Sequence, residues 1–241
     1  MKQNKSFLKL LFLTITISIA GVTMAQVDVG VKAGLNLSSL YIRDENGYKV
    51  TGAQLTPGVN AGVTFDIPIG YEAFFQPAAL FSMSGAKLTY DADEYMNTGN
   101  VSGTEGSGDY TRVNVYNVQV PLNFIFKPQA GAGHFMIGAG PYLAYAAGGT
   151  YKSRYKGETT TGDLYFTNDY AKDNNDPNTL LYGRRFDVGG NVLIGYEFAN
   201  RVSLQLNGQT SFTNLEPRDH SGNNGAVLRN GGFGISVGYR F

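Results

Sequence analysis

The chain ends Gly232-Phe233-Gly234-Ile235-Ser236-Val237-Gly238-Tyr239-Arg240-Phe241, the stretch that says most about its fold. Phe233, Ile235, Val237, Tyr239 and Phe241 alternate with glycine, serine and one arginine. A period of two is a β-strand with one apolar face and one small or polar face. A soluble sandwich uses the same alternation. A strand that runs out to a terminal aromatic is, however, typical of the closing strand of a bacterial outer-membrane barrel. Recurrence of the pattern and export of the chain separate the two.

The other end of the chain bears on export. Lys2, Lys5 and Lys9 form a basic segment, followed by the apolar run Leu10 to Ala20, which is too short to span a bilayer. Thr23-Met24-Ala25 is a small-x-small site, so residues 1–25 read as a signal peptide cleaved before Gln26. The alternative is a retained N-terminal membrane helix. Residues 26–241 then form one barrel domain, and loss of three lysines takes the formal charge from 0 to −3. That balance does not suit a nucleic-acid partner. The absence of cysteine excludes a disulfide framework and thiol chemistry. Thirty-two glycines, 16 tyrosines and 15 phenylalanines with no tryptophan disfavour a helical bundle. They suit a barrel, whose membrane signal is spread thinly over alternating strands.

The alternation recurs. Apolar positions run Val27 to Leu37, Val59 to Ile67, Phe75 to Met83, Val118 to Phe126, Phe135 to Tyr145, Val188 to Phe198 and Val202 to Leu206, each spaced by two. With the last strand this makes about eight. Connections at Pro68–Tyr71, Pro128–Gly133 and Ala199–Asn200 are short, whereas Ser38–Thr56, Asp91–Asp109, Lys152–Arg185 and Asn214–Ala226 are long. Short and long alternate strictly, as they do when one barrel end carries tight periplasmic turns and the other carries outward loops. A sandwich has no reason to sort its loops this way. The expected fold is all-β: a closed antiparallel transmembrane β-barrel of about eight strands in an up-and-down meander, with ten as the alternative.

Aromatic residues gather at two levels, which suits interfacial girdles. Phe65, Tyr71, Phe124, Phe126, Phe135, Tyr196, Phe198, Tyr239 and Phe241 lie near the short turns. Tyr41, Tyr90, Tyr110, Tyr145, Tyr151, Phe186 and Phe212 lie near the long connections. Pro77, Pro121 and Pro141 fall inside strands, where a closed ladder predicts a bulge or a rim position for each. The phase of Tyr110 to Tyr116 is open, and a bulge there is one solution.

Four segments carry a family resemblance: Val31-Lys32-Ala33-Gly34-Leu35-Asn36-Leu37-Ser38, Phe75-Gln76-Pro77, Asn117-Val118-Gln119-Val120-Pro121-Leu122 and the closing Gly238-Tyr239-Arg240-Phe241. With these the chain resembles the PorT-type outer-membrane β-barrel proteins over everything after residue 25 except the long loops. The resemblance implies an eight-stranded barrel in the outer membrane of a Gram-negative bacterium, surrounded by outer-membrane lipid. The family's namesake is linked to type IX secretion, so envelope or secretion-system proteins are candidate partners. The motifs are scaffold motifs and carry no catalytic residues.

An eight-stranded barrel is only just wide enough for its own side chains. The inward face carries Asp28, Lys32, Asp66, Lys127, Asp187, Glu197, Arg201 and Arg240. Mixed signs in similar number predict a self-neutralising charge network that fills the lumen, with Glu197 pairing to Arg201 or Arg240. A narrow ion path is the sharper alternative. Catalysis has little support. His134 falls in a short turn, and Asp219-His220-Ser221 are too close in sequence to hold a triad's geometry. Asp169, Asp173, Asn174, Asn175 and Asp176 lack the glycine and glutamate of a calcium loop. Gly99–Gly108 reads as a polar Gly/Ser/Thr loop. No cofactor, metal or nucleic-acid motif is present. The sequence therefore reads as a non-enzymatic outer-membrane protein whose loops serve surface binding or envelope scaffolding. The alternatives are an accessory component of protein secretion or a small ion channel.

Overall fold

The computed structural model describes residues 27–43, 48, 53–89, 109–168, 179–217 and 226–241. Eleven strands form one sheet: β1 Asp28–Arg43, β2 Ala53–Gly70, β3 Ala73–Thr89, β4 Tyr110–Phe126, β5 Gln129–Ala130, β6 Gly133–Tyr155, β7 Glu158–Phe166, β8 Thr179–Gly183, β9 Phe186–Glu197, β10 Val202–Ser211 and β11 Val227–Arg240. Eight of them close a ring in the order β1, β2, β3, β4, β6, β9, β10, β11. Closure is made by β1 on β11, from Gly30 opposite Arg240 to Arg43 opposite Val227, and by β4 on β6. Each ring strand has an antiparallel partner on both sides, as a sheet surrounded by lipid requires.

The period of two sets the two faces. Leu35, Val59, Phe81, Phe124, Ile137, Val192, Leu206 and Phe233 are exposed on the outside, while Ser38, Asp66, Gln76, Gln119, Asn123 and Ser236 are buried inside. An apolar outside and a polar inside are the pattern of a membrane barrel. Aromatic pairs mark the two ends of the apolar band. Phe75–Phe124, Tyr196–Phe198 and Tyr239–Phe241 lie toward the short turns, at centroid separations of 5.2, 5.0 and 5.3 Å. Phe81–Tyr116 and Tyr145–Phe186 lie toward the loops, at 6.4 and 5.0 Å. Tight turns need left-handed residues, found at Glu72, Gly131 and Arg201, with φ of 57°, 63° and 65°.

Several expectations are corrected. The strands reach further toward the loops than the alternation suggests. The Lys152–Arg185 connection carries the end of β6, the hairpin partner β7, and β8 lying parallel to β7. These additions extend the far end of β6 and do not enter the ring, so the barrel closes at eight. The bulge near Tyr116 is real, but the extra residue, Ala147, lies on β6. It flips the β6 phase, so Tyr151 is buried in the lumen and leaves the girdle. Pro77, Pro121 and Pro141 occupy neither bulges nor rims. The β3–β4 ladder passes from Pro77–Leu122 to Leu80–Gln119, and the β4–β6 ladder from Pro121–Tyr142 to Phe124–Ala139, each without change of register. Proline lacks only the N–H, so a long ladder loses single rungs and keeps its alignment. Tyr90 lies outside the described residues.

Candidate functional site

The short turns set the first layer of the lumen. Asp28 opens β1 opposite Asp66 of β2, and Glu197 ends β9. Lys127 follows β4 and is held there by its backbone N–H, which donates to the Glu72 carbonyl at 2.7 Å. Its Nζ donates to Asp66 Oδ2 at 2.5 Å and to Glu197 Oε2 at 3.0 Å. Glu197 Oε1 accepts from Arg240 Nη2 at 2.5 Å, and Arg240 Nη1 donates to Asp28. Gln76 Nε2 donates to the remaining oxygen of Asp66, Oδ1, at 2.5 Å. The result is a line of five alternating charges across the barrel mouth, Asp66–Lys127–Glu197–Arg240–Asp28. The side chains of Lys127, Asp66 and Glu197 are 4–6% exposed, while those of Arg240 and Asp28 are 27% and 25% exposed. Each charge in this line thus has an opposite partner, which such burial requires.

Three residues expected in this network stand elsewhere. Arg201 occupies the left-handed corner of the β9–β10 turn, where its N–H donates to the Phe198 carbonyl at 2.9 Å, and its side chain is exposed. Lys32 shares the inward face but lies four residues beyond Asp28, about 13 Å along the strand. It stands between Gly62 and Gly238 on its neighbouring strands and donates to Asn207 Oδ1 at 2.7 Å. Asp187 lies ten residues from Glu197 on β9. It accepts from Ser211 Oγ at 2.5 Å and from Tyr142 Oη at 3.1 Å.

Amides fill the middle. Gln119 donates to Gln209 at 3.1 Å, Asn207 to Ser236 at 3.1 Å, and Asn191 to the Gly140 carbonyl beside Pro141 at 3.0 Å. They surround a cavity of about 60 Å³ lined by Lys32, Asn36, Asn60 and Asn123, enough for a few waters.

The loop end closes differently. Leu40, Val113, Val115, Tyr151, Leu164, Phe166, Leu215 and Leu228 bury one another in an apolar cap. Leu215 comes from the segment after β10. Its N–H donates to the Leu228 carbonyl and its carbonyl accepts from the Arg184 N–H, both at 2.8 Å. Gly183 makes room for that contact. Its φ is 141°, and a Cβ there would stand 2.3 Å from the Leu215 oxygen. Arg185 covers the cap with its guanidinium 4.8 Å from the Phe166 ring and a hydrogen bond to the Ala146 carbonyl at 3.0 Å. Sequence reasoning missed this cap because it ended the strands too early.

A family model described as "outer membrane protein beta-barrel domain" matches residues 5–216. The chain belongs to that family. It is a barrel of the bacterial outer membrane, and lipid surrounds its apolar band. Three solved structures are similar to it in fold. Neisserial surface protein A is 11% identical, covers 88% of this chain and 97% of its own, with a TM-score of 0.40. Ail, the attachment invasion locus protein of Yersinia pestis, solved with the heparin analogue sucrose octasulfate, is 11% identical, with 89% and 99% covered and a TM-score of 0.36. The outer membrane protease OmpT of Escherichia coli is 15% identical, with 89% and 97% covered and a TM-score of 0.39. No curated protein matches the sequence.

Among the described residues no group of His, Cys, Asp and Glu is arranged to hold a metal ion. His134 is exposed at the short-turn end, in register with Glu197. Asp219-His220-Ser221, Asp169 to Asp176 and Gly99–Gly108 lie outside the described residues.

Proposed function

We propose that this is a non-enzymatic surface protein of the outer membrane, a plugged barrel whose long loops bind an external ligand or hold another envelope protein. Closure of the lumen at both ends carries the reading. The charge line fills the short-turn mouth and the apolar cap fills the loop end. A lumen blocked at both ends leaves the loops and the outer wall as working surfaces. The chain reaches the membrane by way of a signal peptide cleaved after Ala25.

Within the outer-membrane barrels we place it with the PorT type. The residues that support this are lumen residues with structural work: Gln76 holds Asp66, Gln119 holds Gln209, and Arg240 links Glu197 to Asp28. Their work is scaffolding, so the membership brings no secretion role with it.

Orientation is the testable core. The chain has no cysteine, so single introduced thiols report cleanly. In intact cells Ser102→Cys, in the second long loop, should react with a membrane-impermeant maleimide. Ala199→Cys, in a short turn, should react only after the outer membrane is opened. The reverse pattern would put the loops in the periplasm and end the surface reading.

A further inference from the structure

Three neighbouring strands carry cations on one rung of the outer wall. Lys87 on β3 is directly opposite Arg112 on β4, and Arg112 is directly opposite Lys152 on β6. Their chain neighbours Ala86, Val113 and Tyr151 are buried in the lumen, so alternation turns all three cations outward. Arg154, one outward position further along β6, is also exposed. Like charges placed directly opposite across strands are destabilising, so the row costs stability unless an anion lies against it. Among the described residues none of these four makes an ion pair. Lys87 has only the Tyr110 ring, 4.8 Å from its Nζ. Asp163, on β7 opposite Thr150, is two residue pairs from the Lys152–Thr161 rung and also makes no ion pair among the described residues.

The height of the row identifies what lies against it. Arg112 is four residues beyond Tyr116, whose ring stacks on Phe81 at the loop-side girdle. Four residues at about 3.3 Å each, tilted about 40°, place the row about 10 Å above the girdle. The headgroup layer that begins at the girdle is about 5–8 Å thick, so the row stands at its outer edge, from which long lysine and arginine side chains reach back to the phosphates. Below it, Met83, Phe81 and Tyr116 give an acyl chain an apolar wall.

We infer that Lys87, Arg112 and Lys152 form a binding row for the phosphate groups of an anionic lipid in the outer leaflet. Clustered lysine and arginine at headgroup depth recognise anionic headgroups by charge, and arginine grips phosphate bidentately. The row sits on the wall and owes nothing to the state of the lumen.

The probe is lipid A, with two phosphates, in phosphatidylcholine bilayers. The readout is lipid A retained by the full-length barrel after detergent exchange, together with barrel stability in bilayers with and without it. Each of Lys87→Gln, Arg112→Gln and Lys152→Gln should lower retention about 5-fold, and the triple variant about 100-fold. Removing like charges should leave the triple variant at least as stable as the parent in plain phosphatidylcholine, and less stable than the parent when lipid A is present. Arg229→Gln, on β11 across the ring, should change neither. Equal retention by parent and triple variant would overturn the inference, as would destabilisation of the variant in both bilayers. Full release by inorganic phosphate would reassign the row to a soluble anion. The second loop carries Asp91, Asp93 and Glu94 just after β3. If deleting residues 91–108 abolishes the effect of the three substitutions, the row's partner is that loop and the lipid assignment fails.

Discussion

Lys127→Met tests the short-turn plug most severely. Methionine keeps a stem beside the Phe74 ring, now 5.1 Å from Nζ, so the change is chiefly one of charge. Glu197 keeps Arg240, but Asp66 keeps only the neutral Gln76. At an effective dielectric of about 20, each lost contact near 3 Å is worth about 5 kcal/mol gross. Relief from burying the ammonium returns a large part of this. Orphaning a buried charge costs about 3–5 kcal/mol in general. The partly exposed Arg240 and Asp28 show that water reaches one side, so the lower end, about 3 kcal/mol, is expected. Asp66→Asn removes the orphan while its amide oxygen still accepts from Gln76. The double variant should therefore recover about 2 kcal/mol relative to additivity. The chain has no tryptophan, so refolding into vesicles across a urea series is best followed by the electrophoretic shift of the unheated barrel. A single variant as stable as the parent, or an additive double, would show that Lys127 does not hold the mouth together.

The remaining tests address faces, cap and export. Leu206 lies opposite Ile194 and Ile235 at mid-height, so Leu206→Arg should cost about 2–4 kcal/mol in lipid refolding. Leu204, level with girdle residue Tyr196, should cost at most about 1 kcal/mol as arginine, and equal costs would mean the band is misplaced. Gly183→Val forces a side chain into the Leu215 carbonyl at an unfavourable φ, with a cost of about 1–3 kcal/mol. It should speed amide exchange at Arg184, and unchanged exchange would show that the cap does not depend on this contact. Mass spectrometry of outer-membrane protein should find Gln26 at the N-terminus, and a retained 1–25 segment would refute cleavage.

The period of two made the ring legible because it assigns a face to every residue in a strand. It did not assign a level. Asp28, Lys32, Asp187 and Glu197 all turn inward, yet ten residues along β9 separate Asp187 from Glu197, and Lys32 stands midway. Counting residues from the short turns would have sorted them. Lys127 shares the inward phase, but at a turn end nothing in the sequence marks it as the bridge between Asp66 and Glu197. The cap was missed where its signal is weak. Leu40 and Ile42 continue the inward phase of β1, but apolar residues facing inward break the polar-inside expectation. The β6 bulge falls in Ala146-Ala147-Gly148-Gly149, where small residues carry no alternation to read. Arg201 was misplaced because a turn corner overrides strand phase.

Planar-bilayer recording of the reconstituted full-length barrel tests the central claim most directly. With the charge line at one mouth and the apolar cap at the other, no steady conductance is expected from the parent, and Glu197→Gln should leave the bilayer equally silent. Stable, ion-selective currents from the parent, altered by Glu197→Gln, would contradict the plug and make the barrel a channel.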